Sequence, residues 1–437
     1  MLIRYLFVFL FVIVNPHYLC ADTHVSADCE LATVQAVIDL ETVVTGDIVT
    51  IPGGNCTWGT DGAYLSVNKE ITLQGAGVGV TIIDLATTAG SWGEGTIRIS
   101  AAATVKGFSI RTAESGNSGT AFSTGTVNGW RITGINYNDR TSTPNGYFVY
   151  VGSVYGLIDN NTLSENAGTM ELIFVRGLTD SWQTAHSIGG ESNLFIENNT
   201  FNGRSDVQGY VCDCNSNSRC VVRYNTITGP MKIDGHGLAS NSPARGVRHM
   251  EIYNNTFLCN AGNWRAIEIR GGTGRIFNNT STSSYDTIYL SLNDYCYIDG
   301  ANYGNCDNEC KCADDRPVTD QIGIGVDPKS AASEPLYIWN NIRNGGQWTP
   351  GHSVLTKSCI SACGNWSQAD AIISGTDYFV SETKPEAMSA YTPYTCPHPL
   401  TGLTGSCNSS IAGTSGYNVN LSPTTSTSTA SGSFNLR

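Results

Sequence analysis

Charged side chains make up only 14% of this 437-residue chain, so a place where they gather calls for an explanation. Six short stretches alternate apolar and polar residues: Gly146–Val151, Glu171–Arg176, Gly209–Asp213, Met231–His236, Ala266–Arg270 and Thr287–Leu292. A period of two is the mark of a strand with one buried face. With Met231, Ile233, Ile267, Ile269, Ile173 and Val175 placed inward, the register points Arg176, Lys232, Asp234, His236, Glu268 and Arg270 outward. Asp213 joins them if Tyr210 and Cys212 face inward. Phe148 and Tyr150 precede this group and Tyr289 follows it, all expected outside. The intervening segments 178–192 and 238–248 bring Trp182, His186, Arg245 and Arg248 to its border.

These residue types suit proton transfer beside an acid group. Arg176, Arg270 and Arg245 can neutralise a carboxylate, which acidifies the neighbouring carbon-bound proton. Lys232 or His236 can then remove that proton, with the Lys232 pKa expected to be lowered by nearby cations. Asp213, Asp234 and Glu268 offer hard oxygen ligands for Ca2+. Tyr150, Phe148, Trp182, Arg245, Arg248 and Tyr289 form the expected contacts to a bound sugar polymer, the aromatic rings by stacking. The chemistry expected is β-elimination of a uronate polysaccharide. Two alternatives remain: glycoside hydrolysis by paired carboxylates among Asp213, Asp234 and Glu268, or glycan binding without catalysis. Taken one at a time, each of these residues is ordinary solvated surface; it is their gathering that argues for a site.

Strands this short need a repeating frame to bring them together. A phrase recurs in which an apolar-alternating run leads into Asn, usually Asn-Asn-Thr: Gly156–Leu163, Leu194–Phe201, Val221–Ile227, Glu251–Phe257, Arg275–Thr280 and Leu336–Ile342. Its key asparagines stand at 161, 199, 225, 255, 279 and 341. Irregular steps that keep returning to one phrase fit a solenoid with variable loops. Val, Ile, Phe and Tyr in the runs make it a β-solenoid. Asn at equivalent corners can donate and accept along the stack and tolerates left-handed backbone. Asn160, Asn198 and Asn254 also match the glycosylation sequon, but their recurrence at one fold position favours the ladder.

A solenoid must close its ends. Leu31–Leu40 has helical apolar spacing and is expected to cap the first coil, stapled by Cys29–Cys56 to a first strand at Asp47–Ile51. Beyond Leu403 the chain turns to Ser, Thr and Gly, so 404–437 is expected to be a flexible tail after a 22–403 β-helix domain. Met1–Ala21 carries Arg4 and the apolar run Leu6–Val14, the pattern of a secretory signal. No later stretch is long and apolar enough to span a membrane. The 15 cysteines become 14 once Cys20 leaves with that segment, which suits an exported, disulfide-bonded chain. Cys359–Cys363 and Cys396–Cys407 are neighbours. Two groups of four, Cys212, Cys214, Cys220, Cys259 and Cys296, Cys306, Cys310, Cys312, leave their pairings open. The acidic insertion Tyr295–Asp320 lacks EF-hand spacing and is expected to be a disulfide-tied loop. A net charge of −13 argues against nucleic acid as a partner.

The stretch Cys29–Trp58, with Gly46-Asp47 and Ile51-Pro-Gly-Gly-Asn-Cys-Thr-Trp58, resembles the start of secreted right-handed parallel β-helix proteins of the pectate-lyase-like superfamily. Arg245–Phe257, Ile269–Gly274 and Pro393–Leu400 are similar to bacterial members. The resemblance implies an all-β right-handed parallel β-helix over residues 29–400. That fold carries lyases, hydrolases, esterases and binders alike, and no complete catalytic signature accompanies it here, so no residue is given a role by resemblance.

Overall fold

The recurring asparagines fix the coil. In the computed structural model, Asn161, Asn199, Asn225, Asn255, Asn279 and Asn341 are all buried and stack at one corner. From Asn199 onward, each side-chain oxygen accepts the main-chain N–H of its counterpart one coil earlier, at 2.9–3.1 Å. It also accepts that counterpart's Nδ2–H, at 2.9–3.1 Å. A second Nδ2 bond reaches a carbonyl of the preceding coil, such as Ile196 O from Asn225 or Val222 O from Asn255. Buried polar groups thus meet their partners without water.

The left-handed residue at the corner is not the ladder asparagine. It is the residue before it, Asn160, Asn198, Tyr224, Asn254, Asn278 or Asn340, at φ between 49° and 58°. That residue turns the chain outward so that the next side chain can turn in. This explains the Asn-Asn pairs, since both positions favour the same residue for different reasons.

The structure describes residues 21–86, 93–113, 119–140, 146–152, 155–166, 171–177, 182, 184–237, 245–258, 264–283, 286–291, 320–325, 333–352, 372–405 and 407. The proposed signal, Cys359–Cys363, Cys259, the second cysteine cluster and nearly all of the tail lie outside them. Three sheets of twelve, eleven and ten strands run along the stack. Their strands pair in parallel throughout, except for the terminal pair Ile342–Arg343 with Gly346–Gln347. The chain visits the twelve-, eleven- and ten-stranded sheets in turn. This is the right-handed parallel β-helix expected from the repeat.

Inside the coil, stacked Ile, Val, Leu and Phe form one continuous core. The helix Leu31–Ile38 packs Val34 and Ile38 against the strands Ile48–Ile51, Gly54–Trp58 and Leu65–Val67 of the first coil. A strand not anticipated, Thr23–Val25, pairs with Ile48–Thr50 ahead of it. Cys29–Cys56 and Cys396–Cys407 are bonded as expected. From the first cluster, Cys214 pairs with Cys220 across the coil interior, and Cys212 is a buried free thiol beside them.

The outer face of the twelve-stranded sheet is covered. Leu157, Phe195, Val221, Tyr253, Phe277 and Trp339 form a second apolar layer against Met388, Tyr391, Tyr394 and Leu400. The segment 384–402 therefore runs back along the stack as a strap. Arg223 pins it by donating to Tyr394 O at 2.7 Å and Thr395 O at 2.9 Å while paired with Glu197. Arg131 reaches Leu400 O.

The ladder yields a measurable expectation. Asn225→Ala leaves the buried Asn199 main-chain N–H without its acceptor, a loss of about 1–3 kcal/mol. Asn160→Gly, at an exposed left-handed corner, should be nearly neutral. Urea unfolding of both variants checks this; equal midpoints would show that the ladder does not hold the stack.

Candidate functional site

The ten-stranded sheet places the outward residues in register. Tyr150 stands opposite Phe174, Phe174 opposite Asp213, Asp213 opposite Asp234, Asp234 opposite Glu268, and Glu268 opposite Tyr289. Adjacent members of this column sit about 4.8 Å apart along the stack. A second column lies two residues further along each strand. Arg176 is opposite Asn215, and the ladder continues through His236 N to Cys214 O and Arg270 N to Gly235 O. It brings Arg176, Asn215, His236 and Arg270 side by side. A third column, on the other flank, holds Glu171, Tyr210 and Lys232. The alternation thus assembles residues more than 100 positions apart on one face.

Some expected positions differ. Phe148 points inward, fully buried between Phe122 and Tyr137 at ring separations of 5.3 and 5.2 Å. It precedes the strand Val149–Val151, in the bend entering from the previous sheet, where strand alternation does not yet apply. Tyr147 takes the outer place instead and stacks on Phe174 at 4.9 Å, with Tyr150 against the same ring at 5.6 Å. Tyr210 faces outward because the register slips between Tyr210 and Cys212; the extra residue of this bulge lets both Val211 and Cys212 turn in. Trp182 has no ring face for a sugar, because it is fully buried beneath Arg245 and Arg248 at 4.6 and 5.4 Å. Arg248 is itself buried and paired with Glu334 at 2.7 Å, and Arg245 is paired with Asp320 at 2.6 Å. These three brace a flank rather than border an open face. Much of both bordering segments, 178–181, 183 and 238–244, lies outside the described residues.

The centre of the face is a buried ion network. Lys232 Nζ donates to Glu268 at 2.6 Å and contacts Asp234 at 3.1 Å, with the Tyr210 ring 4.3 Å away. Arg270 holds Asp234 at 2.6 and 3.2 Å, and Arg265 bridges Glu268 to the Tyr289 ring. Burial opposes the Lys232 charge, yet Asp234 and Glu268 outweigh it and its pKa rises. The expected lowering does not occur, because two carboxylates lie closer to the amine than any cation. A lysine held this way keeps its proton and cannot serve as the base. Burial also works against Asp234, but Arg270 and Lys232 hold it down to about 2.

Three groups beside this network remain reactive. His236 Nδ1 lies 2.7 Å from Gly237 O. A carbonyl only accepts, so Nδ1 carries the proton and the neutral ring presents its Nε2 lone pair. Asp213 is buried with Oδ1 lacking a hydrogen bond, and burial, with Asp234 adding and His236 opposing, pushes it up to about 6. Burial, then Asp213 and Asp234, push Glu171 up to about 8, with the Tyr147 hydroxyl bonded to it. Glu171, Tyr147, Tyr210 and Arg265 were not anticipated as part of the site. Glu171 was hidden by strict alternation, which sends it inward with Ile173; Leu172 and Ile173 both turn into the core and leave Glu171 on the outer side.

The trio Asp213, Asp234 and Glu268 does not fit a Ca2+ cage. Asp234 and Glu268 are neutralised by Lys232, Arg265 and Arg270, and among the described residues no three His, Cys, Asp or Glu side chains converge as metal ligands.

A proton-linked stability change follows. Glu171 titrates near 4.5 when unfolded and about 8 when folded, so between these values the folded chain holds the extra proton. Its contribution is whole below about 4.5 and is lost as pH rises through 8. Asp213 adds the same sign between about 3.8 and 6. Thermal melts from pH 5 to 8 should fall in the wild type, and Glu171→Gln should flatten the part above pH 6. Parallel curves would contradict the buried, protonated Glu171.

The chain matches no protein-family profile and no curated protein sequence. Among solved structures it is similar to an alginate lyase from Paenibacillus sp. str. FPU-7, at 12% identity and a TM-score of 0.39, over 61% of this chain and 97% of that one. A PL6-family polysaccharide lyase from Pseudopedobacter saltans gives 13% and 0.41, over 89% and 97%. A pectate lyase from Bacillus sp. N165 gives 14% and 0.35, over 81% and 95%. With TM-scores below 0.5, none of them bears on the chemistry of this chain.

Proposed function

We propose that the ten-stranded face binds an acidic polysaccharide and cleaves it by β-elimination, with His236 as the base. The observation that carries this reading is the second outward column. It sets a histidine with a fixed donor nitrogen between Arg270 and exposed Arg176, beside aromatic Tyr147, Tyr150 and Phe174. Arg176 has no carboxylate partner among the described residues, so it is free to neutralise a uronate carboxylate. That charge transfer acidifies the C5 proton. His236 Nε2 takes the proton, the electron pair forms the C4–C5 double bond, and the bond from C4 to the bridging oxygen breaks. The leaving oxygen then takes a proton from Asp213, whose raised pKa keeps part of it protonated in mildly acidic solution.

A hydrolytic reading is favoured by one observation. Adjacent Asp213 and Asp234 have pKa values driven apart, as an acid and a base would need. Against it, Asp234 is fully buried in its pairings with Arg270 and Lys232. The disulfides fit an exported protein, and among the described residues no helix is long and apolar enough to cross a membrane.

Incubation with pectate, alginate and glycosaminoglycans should raise ultraviolet absorbance from the new double bond on one of them. His236→Ala should lower kcat by about 100- to 10,000-fold, and Arg176→Ala should chiefly raise KM. New reducing ends without unsaturation would select hydrolysis, and silence on every uronate would refute elimination.

A further inference from the structure

Around the corner from the charged face, two arginines are buried beside two histidines with almost no counter-charge. The strand Gly209–Asn215 turns through 216–218 directly into Arg219–Arg223 of the twelve-stranded sheet. There Arg219 stands opposite His249 on the next coil, and Arg248 precedes His249 in the chain. His186 packs across the His249 ring at 6.0 Å. Arg219 is only 7% exposed, and Arg248, His249 and Trp182 are fully buried. Among the described residues Glu334 is the one carboxylate these side chains touch, and it is committed to Arg248 and to a 3.9 Å approach by His186. Arg219 has only a 3.3 Å bond to Thr184 O.

Hydrogen bonding in this corner is unfinished. The Nε–H groups of Arg219 and Arg248 and the indole N–H of Trp182 are buried without acceptors. His249 Nε2 donates to Asn193 Oδ1 at 2.6 Å, and burial holds the ring well below the usual histidine range, so its Nδ1 is a lone pair that marks the edge of this corner and not a donor to it. Orphaned buried donors are rare, and each is destabilising unless something fills the place. Water would satisfy the donors but leave the guanidinium of Arg219 without an opposite charge. An oxyanion satisfies both, and the fork of an arginine matches its geometry. Burial and Arg248 together pull the Arg219 pKa down, which is how a cation missing its counter-charge behaves.

We propose that Arg219, Arg248 and the indole N–H of Trp182 form a site for one oxyanion, a carboxylate or sulfate group, at the corner beside the polysaccharide face. Its occupant is an acid group borne by a glycan chain or a free inorganic anion of the same chemistry. The site does not depend on the elimination reading, because it needs no turnover.

The test uses sulfate as the probe. Calorimetric titration of the whole protein with sodium sulfate, against sodium chloride at equal ionic strength, should show saturable binding. Arg219→Gln should weaken it about tenfold or more, the loss of one charge-assisted hydrogen bond, while Arg98→Gln, remote on the other sheet, should not. Selenate-soaked wild-type crystals should show anomalous density beside the Nε–H of Arg219, which decides the matter if the variant does not fold. Competition by an oligouronide would assign the site to a glycan-borne acid group. Sulfate binding without such competition would assign it to a free anion. No sulfate-specific binding, or selenate located elsewhere, would overturn the proposal and leave the corner to water.

Discussion

Register between coils is the constraint on which everything else depends. Because each strand pairs in parallel with its counterpart one coil on, a side chain's neighbours are decided by which residue stands opposite it. A slip of one residue would turn Lys232, Asp234 and His236 into the core and Ile233 out to solvent. The asparagine ladder prevents that slip. Its carboxamides bond both along the stack and back to the main chain, so a coil shifted by one position would leave several buried polar groups unpaired. Loops of very different length can then be hung between coils, as between Asn279 and Asn341, 62 positions apart yet bonded at 3.0 Å.

Given that register, the electrostatics of the face follow. Lys232, Asp234, Glu268 and Arg270 are nearly dry, and each charge is matched by an opposite one within 3.2 Å. Such a network contributes little net stability, but removing one member would strand its partner. Its value is positional: it locks the side chains at the centre of the face and leaves the edges reactive. Asp213 and Glu171 sit at that edge without close cations of their own, so burial can push both upward. His236 sits at the other edge with one nitrogen tied down.

How much of this was legible in the sequence depended on whether the signal was periodic. The ladder positions and the outward facing of Arg176, Asp234, Glu268 and Arg270 could be read because apolar residues at every second position leave one choice. The bulge at Val211 could not, since an extra apolar residue inside an apolar run looks like more core. Phe148 was misplaced for the opposite reason, because alternation was extended into a bend. The lysine pKa was misjudged by counting cations alone, when Asp234 on the same strand and Glu268 from the next coil both hold the amine closely. The strap was invisible, since Tyr394 meets Arg223 across 171 positions with no pattern to announce it.

The strap also bears on where function can lie. A three-sided coil has three outer faces, and the chain treats them differently. The eleven-stranded sheet presents a column of Thr162, Thr200, Thr226, Thr256 and Thr280, small hydroxyls that solvate the surface and offer little to grip a ligand. The twelve-stranded sheet carries large rings, among them Tyr253, Phe277 and Trp339 stacked at 4.6 and 4.4 Å, but the strap seals them. The ten-stranded sheet sets half-buried aromatic rings beside carboxyl groups of raised pKa. Surface apolar area that served only packing would be covered like its neighbour. Tyr150 and Phe174 stay partly exposed beside Asp213 and His236 in a fold that has the means to seal a face, and the ligand surface proposed above would account for the rings and the charges together.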